Sequence, residues 1–258
     1  MIHIKNAYAI EKMVEAGKRL SAIFSHLNTI INEGISTWEV DAWIENALHE
    51  HGLKTTMKGY HGYPHVSCIS INDGVVHGIP RKDKIIQKHD LVKVDICASF
   101  DGFCADMARP FFIGTPPVVV QQFIDVTKKA LDAGIFAARA GNHVSDISFA
   151  IQQVLLSHNY GIIRDFAGHG IGKNMHEDPD VFNYGKPKRG AVLSPGMAFA
   201  IEPMSTLGKE EVWIEDDKWT VRTQDGSLAM HIEDTIIVTE DDPLVATNNK
   251  IKRGSTDE

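Results

Sequence analysis

The residues best able to do chemistry are two histidines and four carboxylates in unusual settings. His169 and His176 stand seven positions apart in Phe166-Ala-Gly-His-Gly-Ile-Gly-Lys-Asn-Met-His-Glu177, a glycine-rich segment whose backbone can come close to a ligand. Asp95 lies inside the apolar, β-branched run Leu91-Val-Lys-Val-Asp-Ile-Cys97. Asp106 follows across the turn signal Ser99-Phe-Asp-Gly102, so a hairpin would set the two carboxylates roughly opposite each other. Glu202 ends the run Met197-Ala-Phe-Ala-Ile-Glu-Pro203, and Glu233 is embedded in Leu228-Ala-Met-His-Ile-Glu-Asp-Thr-Ile-Ile-Val238, read as one strand. Facing ionised acids repel, and burying them uncompensated costs several kcal/mol each, so they need a cation, a proton or water between them. Four oxygen donors and one imidazole, His169, suit two hard-to-borderline divalent ions such as Mn, Fe, Co or Zn better than a tetrahedral structural zinc. The residues themselves therefore point to a dinuclear metal site between two halves, each contributing two acids.

Other chemistries fit less well. Gly168-x-Gly170-x-Gly172-Lys173 has neither the spacing nor the Ser or Thr of a phosphate-cradling loop, and it does not match the dinucleotide fingerprint. Taken alone, the segment would be a tight turn with two surface histidines. The chain has 258 residues, 43% hydrophobic and 23% charged, which is room for one large core or two small ones in an ordinary globular protein. Its net charge is -8, and the one basic block is the short Lys250-Ile-Lys-Arg253, so no nucleic-acid footprint is indicated. Cys68, Cys97 and Cys104, with no C-x-x-C spacing, imply neither a disulfide framework nor a zinc knuckle. No signal-like run follows Met1 and no stretch reaches the length of a membrane span, so a reducing cytoplasm is the expected setting.

These donors need a scaffold. Apolar residues recur at helical spacing from Ala7 to Ile31, ended by Asn32-Glu-Gly34, and Ser36-Thr-Trp-Glu39 reads as a capping box opening a second helix to Gly52. Cys68-Ile-Ser-Ile71 is a short strand. Val75-Val-His-Gly-Ile-Pro80 then places His77 in an apolar run, where a lone histidine is more often core than catalytic. Pro116 and Pro117 open a helix from Val118 to Ala140, and another runs from Val144 to Tyr160. Gly34, Ile44 and Leu48 recur as Gly141, Ile151 and Leu155 at a constant offset of 107 (141 minus 34, 151 minus 44, 155 minus 48), so a helix pair with its sheet is expected twice.

The succession Gly59-Tyr-His-Gly-Tyr-Pro64, Cys68 to Pro80, Asp95 to Asp106, Gly168-His-Gly-Ile-Gly172 with His176-Glu177, Ile201-Glu-Pro203 and Ile232-Glu233 closely resembles the type I methionine aminopeptidases, nearly end to end. The resemblance implies an α/β (α+β) pita-bread fold, a pseudo-two-fold repeat of helix pairs packed on a central curved antiparallel sheet. It implies a single catalytic domain over residues 1–258, with halves at roughly 1–110 and 111–245 and a short C-terminal tail. Residues 177–201 are all that separate His176 from Glu202, which leaves no room for the helical insertion of type II enzymes. By the same likeness Asp95, Asp106, His169, Glu202 and Glu233 are the ligands of two divalent metal ions (Co, Mn, Fe or Zn), Asp106 and Glu233 bridging. The implied activity is removal of the N-terminal methionine from nascent proteins and peptides, by attack of a metal-bridging hydroxide on the first peptide bond. Glu202 would accept the proton, His176 would donate to the carbonyl oxygen, and His77 would hydrogen-bond the scissile nitrogen or the leaving group. Tyr60, Tyr63, Cys68, Phe166, Met175 and Trp219 would line the pocket for the methionine side chain. The expected partners are the N-terminal Met of nascent polypeptides and, transiently, the ribosome. The expected state is a monomer that binds no nucleic acid or membrane.

Four positions depart from that family's pattern. Cys97 and Met107 stand where a threonine is common, Met175 where an aromatic is common, and Asp234 where a histidine usually follows the last ligand. Ile232-Glu-Asp234 also resembles the proline dipeptidases of the same fold, which keep the five ligands and cleave before proline. Against them, the chain is expected to carry no additional N-terminal domain of the kind those enzymes have. A non-catalytic pita-bread binding module is the other alternative, and such modules generally lose ligands that this chain keeps.

Overall fold

The computed structural model describes residues 1–248; the Lys250–Arg253 block and all but the first three residues of the expected C-terminal tail lie outside the described residues. Four helices carry the apolar stripes: α1 (Ala7–Ile30), α2 (Thr37–Glu50), α3 (Val118–Ala137) and α4 (Val144–Leu156). Helix α3 ends at Ala137, short of Ala140, because the Asn142 amide caps the Ala137 carbonyl. Helix α4 ends at Leu156, short of Tyr160, and the chain turns where Asn159 adopts a φ of 57°. The expected capping box opens α2: the Ser36 hydroxyl accepts from the Glu39 N–H, and the Glu39 carboxylate accepts from the Ser36 N–H at 2.9 Å.

The 107-residue repeat extends well beyond the three positions legible in the sequence. Gly34 and Gly141 both take positive φ, 92° and 88°. A second capping box, His143 with Asp146, opens α4 where Ser36 and Glu39 open α2. The isolated bridges Ser36–Ile85 and His143–Val192 obey the same offset (143 minus 36, 192 minus 85), as do the acids Asp95 and Glu202 (202 minus 95). Helices α1 and α2 bury Leu20, Leu27 and Ile44 in one core, and α3 and α4 bury Phe123, Ile147 and Ile151 in another.

Among the described residues a nine-stranded antiparallel sheet joins the two cores. Along its main path lie Lys54–Thr55, Leu91–Phe100, Phe103–Phe112, Glu233–Ile237, Ala198–Ile201, Gly168–Gly170 and Glu177–Val181, with Cys68–Ile71 also paired to Leu91–Phe100. Alternation within Leu91–Phe100 sends Val92, Val94, Ile96 and Ala98 into the first core, so Asp95 and Cys97 face the other side.

Three expectations are corrected here. Asp95 pairs with Ala108 and Asp106 with Cys97, so the two carboxylates are diagonal neighbours on one face and do not sit directly opposite. The 228–238 run is two strands: Ala229–His231 pairs with Met204–Thr206 in a separate three-stranded sheet, and only Glu233–Ile237 enters the main sheet. The switch occurs beside Pro203, which has no N–H for a ladder and lies between Ala198–Ile201 and Met204–Thr206. Finally, the glycines around His169 serve strand packing. A Cβ on Gly168 would lie 2.4 Å from the Ala200 carbonyl oxygen, and one on Gly170 would lie 2.2 Å from that of Asp178.

Candidate metal centre

The five expected ligands come from five places in the chain and converge on one cavity. Asp95 and Asp106 reach it from the central hairpin, His169 from the neighbouring short strand, and Glu202 and Glu233 from the points where the chain changes sheets. The His169 Nε2 lies 3.9 Å from Asp106 Oδ2 and 3.7 Å from Glu202 Oε1. Ligand atoms of Asp106, His169 and Glu233 all fall within 4.8 Å of one another. The His169 Nδ1 is 2.9 Å from the Gly170 carbonyl oxygen. A carbonyl can only accept, so Nδ1 carries the hydrogen and Nε2 presents its lone pair to the acids.

This cluster is electrostatically frustrated by itself. Burial, then the Asp106 and Glu202 charges, pushes the Asp95 carboxyl well above its usual range. Burial and then Asp106 do the same to Glu202 and Glu233, and burial also raises Asp106. Burial pushes His169 down to about 3 and His77 down to about 4, so both imidazoles are neutral. Among the described residues Glu233 Oε1 is buried with no hydrogen-bond partner. Four crowded carboxylates, a lone pair aimed at them and an orphaned carboxylate oxygen form a donor set that divalent cations satisfy.

Neighbouring groups hold the ligands in place. The Asp106 N–H donates to Thr235 Oγ1 at 2.8 Å, and that hydroxyl donates back to the Asp106 carbonyl at 2.9 Å, locking two ligand-bearing strands together. The Arg109 guanidinium donates to the Glu233 carbonyl and, at 2.6 Å, to Asp234 Oδ1, which also accepts from the Thr247 hydroxyl. Asp234 therefore faces away from the cavity and, through Arg109, braces the backbone of Glu233. Of the four departures, Cys97 and Met175 line the cavity, whereas Met107 and Asp234 do not.

Tyr60, Tyr63, Cys68, Met175 and Trp219 line the same cavity, as do His77 and His176. The Tyr60 hydroxyl lies 2.7 Å from His176 Nδ1, and Trp219 packs edge-on against Tyr63 at 5.0 Å between ring centroids. Phe166 is the exception: it is not part of the lining and instead packs edge-on against His77 at 5.5 Å. Besides Cys97, three lining residues are not among the expected ones, Met57, Val76 and His231. Nothing in the sequence marks Met57, whose sulfur accepts from the Cys97 N–H at 3.2 Å. His231 stood two residues before Glu233, a spacing that places side chains on one face of extended chain, and this was the available signal.

The loop carrying both tyrosines is anchored from α2. Asp41, 5% exposed, accepts from the N–H groups of Val66 and Ser67 at 3.2 and 3.0 Å and from the Ser67 hydroxyl at 2.7 Å. Asp41→Ala strands these buried donors and is expected to cost about 2–3 kcal/mol, seen as a lower urea midpoint with unchanged m. An unchanged midpoint would show that the anchor carries no stability.

A family model described as metallopeptidase family M24 matches residues 11–240. The methionine aminopeptidase of Clostridium acetobutylicum is 42% identical over 247 residues, covering 96% of this chain and 99% of that relative. Among solved structures, the methionine aminopeptidase of Thermotoga maritima is 37% identical with a TM-score of 0.94, covering 96% of this chain and 100% of that one. The prolidase of Pyrococcus furiosus shares the fold at a TM-score of 0.79 and 22% identity, with 96% of this chain covering 66% of that one. The five-donor cavity and these full-length likenesses agree, and the chain belongs to metallopeptidase family M24, among its methionine aminopeptidases.

Proposed function

We propose that this protein removes the N-terminal methionine from nascent proteins and peptides, as one catalytic domain built from two similar halves. The observation that carries the reading is the five-donor cluster set in a cavity walled by Tyr63, Cys68, Met175 and Trp219. Asp95, Asp106, His169, Glu202 and Glu233 would hold two divalent cations, which when bound supply Lewis acidity toward a carbonyl oxygen and lower the pKa of water. The apolar, polarisable wall suits an unbranched thioether side chain. Glu202 takes the proton released by the attacking water and passes it toward the leaving amine. In the tautomer in which the Tyr60 hydroxyl donates to Nδ1 of His176, Nε2 carries the hydrogen and donates to the carbonyl oxygen as charge develops there. His77, kept neutral by burial, hydrogen-bonds the scissile nitrogen or the leaving group. We place this work in the cytoplasm, on emerging chains with a small second residue, by a monomer in transient contact with the ribosome.

Asp234, the feature shared with proline dipeptidases, is tied to Arg109 outside the cavity and offers that alternative no contact with substrate. The test is to strip the protein of metal, reload it with Mn, Fe or Co, and offer Met-Ala-Ser and Ala-Pro separately. Metal-dependent release of methionine from the first alone is expected. Turnover of Ala-Pro alone would move the protein to the proline dipeptidases, and turnover of neither would favour a binding module.

A further inference from the structure

We propose that His231 is a sixth protein ligand of this metal centre, its Nε2 sharing one of the two ions with Glu202 and Glu233. The inference rests on the reading that the five residues above hold two divalent cations. It starts from an orphan. His231 is 2% exposed and lines the cavity, and its Nε2 is buried with no hydrogen-bond partner among the described residues. That nitrogen lies 3.2 Å from Glu202 Oε2 and 3.9 Å from Glu233 Oε2.

Those separations are informative. Donor atoms each about 2.1 Å from a common ion lie roughly 3 to 4 Å from one another, depending on the angle at the metal. The proposed ligand His169 stands at 3.7 Å from Glu202 and 3.9 Å from Asp106, in the same range. A histidine that only braced Glu202 would point an N–H along the carboxylate, whereas here the 3.2 Å approach forms no hydrogen bond. His231 is therefore placed as a donor toward the space between two glutamates, as His169 is placed toward Asp106 and Glu202.

The backbone explains how it arrives there. Ala229–His231 belongs to the small sheet, with His231 in register with Met204, two residues past Glu202. Glu233 follows immediately in the main sheet, so the break at Ile232 carries the imidazole and the last carboxylate into the same cavity from two different sheets. A second imidazole makes the donor set softer, which favours Fe, Co or Zn over Mn.

The experiment titrates metal-stripped protein with Co(II), reading binding by calorimetry and the ligand field by visible absorption. X-ray absorption on the loaded protein counts imidazoles. Wild type is expected to show two imidazoles spread over its two ions. His231→Gln, which keeps a polar side chain of similar reach, is expected to show one, with a changed visible band and at least about tenfold weaker binding of one Co(II). A single imidazole in wild type overturns the proposal even where the variant fails to fold, and so does a variant with unchanged affinity and spectrum. Asp106→Asn separates the two claims: if wild-type Co(II) binding is indifferent to that change, the metal centre itself is misplaced and the sixth ligand falls with it.

Discussion

Glu202→Gln should lower kcat for Met-Ala-Ser by about 10³-fold, the middle of the range for loss of a positioned general base. The substitution keeps the side chain's size but removes both the proton acceptor and one anionic donor. KM should move far less, because Tyr63, Cys68, Met175 and Trp219 are untouched. The same change relieves repulsion in the metal-stripped protein, where burial and Asp106 hold the Glu202 carboxyl high. The stripped variant should therefore melt no lower than stripped wild type while being nearly inactive when reloaded. A reloaded variant retaining a tenth or more of wild-type kcat would remove Glu202 from the proton path.

Chelation should abolish turnover altogether and also change how stability depends on pH. Asp95, Glu202 and Glu233 have folded-state pKa values raised by burial, while the unfolded chain titrates near about 4. Above that pH the folded, metal-stripped protein holds protons that the unfolded chain has released. Stability must then fall as pH rises through the folded-state values. Stripped protein should melt at lower temperature at pH 8 than at pH 5, and loading with a divalent ion at pH 8 should release protons and restore the loss. At a hundredfold excess over Kd the ion contributes about 2.7 kcal/mol, or roughly 5–10 °C in Tm. Differential scanning fluorimetry across pH, with and without metal, checks this. A stripped protein that grows more stable between pH 5 and 8 would contradict the clustered-carboxylate account.

Much of this was legible because its causes are local. Capping at Ser36, the apolar stripes of the helices and the acids inside β-branched runs each carry their signal within a few residues. What was not legible depends on distant pairing. The offset between Asp95 and Asp106 follows from hairpin register, and the division of the 228–238 run follows from Pro203, whose own strand lies elsewhere in the chain. Gly168 and Gly170 looked like room for a ligand because their true neighbours, Ala200 and Asp178, come from other strands. The spacing of His231 from Glu233 is legible in the sequence, but not the meeting of two sheets at Ile232 that brings both to one cavity, since that depends on distant pairing.

The stretch ending at Thr247 has a bearing on how the protein comes to be made. Gly17 of α1 has no side chain, and the Ala246 carbonyl sits where a Cβ would be, 2.2 Å from that position. One residue later the Thr247 hydroxyl reaches Asp234, beside Glu233. The earliest helix is thus clasped by one of the last described segments, and neither that contact nor the brace behind Glu233 can form until this segment has been synthesised. Translation delivers the N-terminal half first, so its core can assemble on the ribosome while the floor of the cavity waits for Thr247, in the half made later. In the proposed role, an enzyme that trims chains as they emerge cannot complete its own active site until the segment ending at Thr247 has emerged.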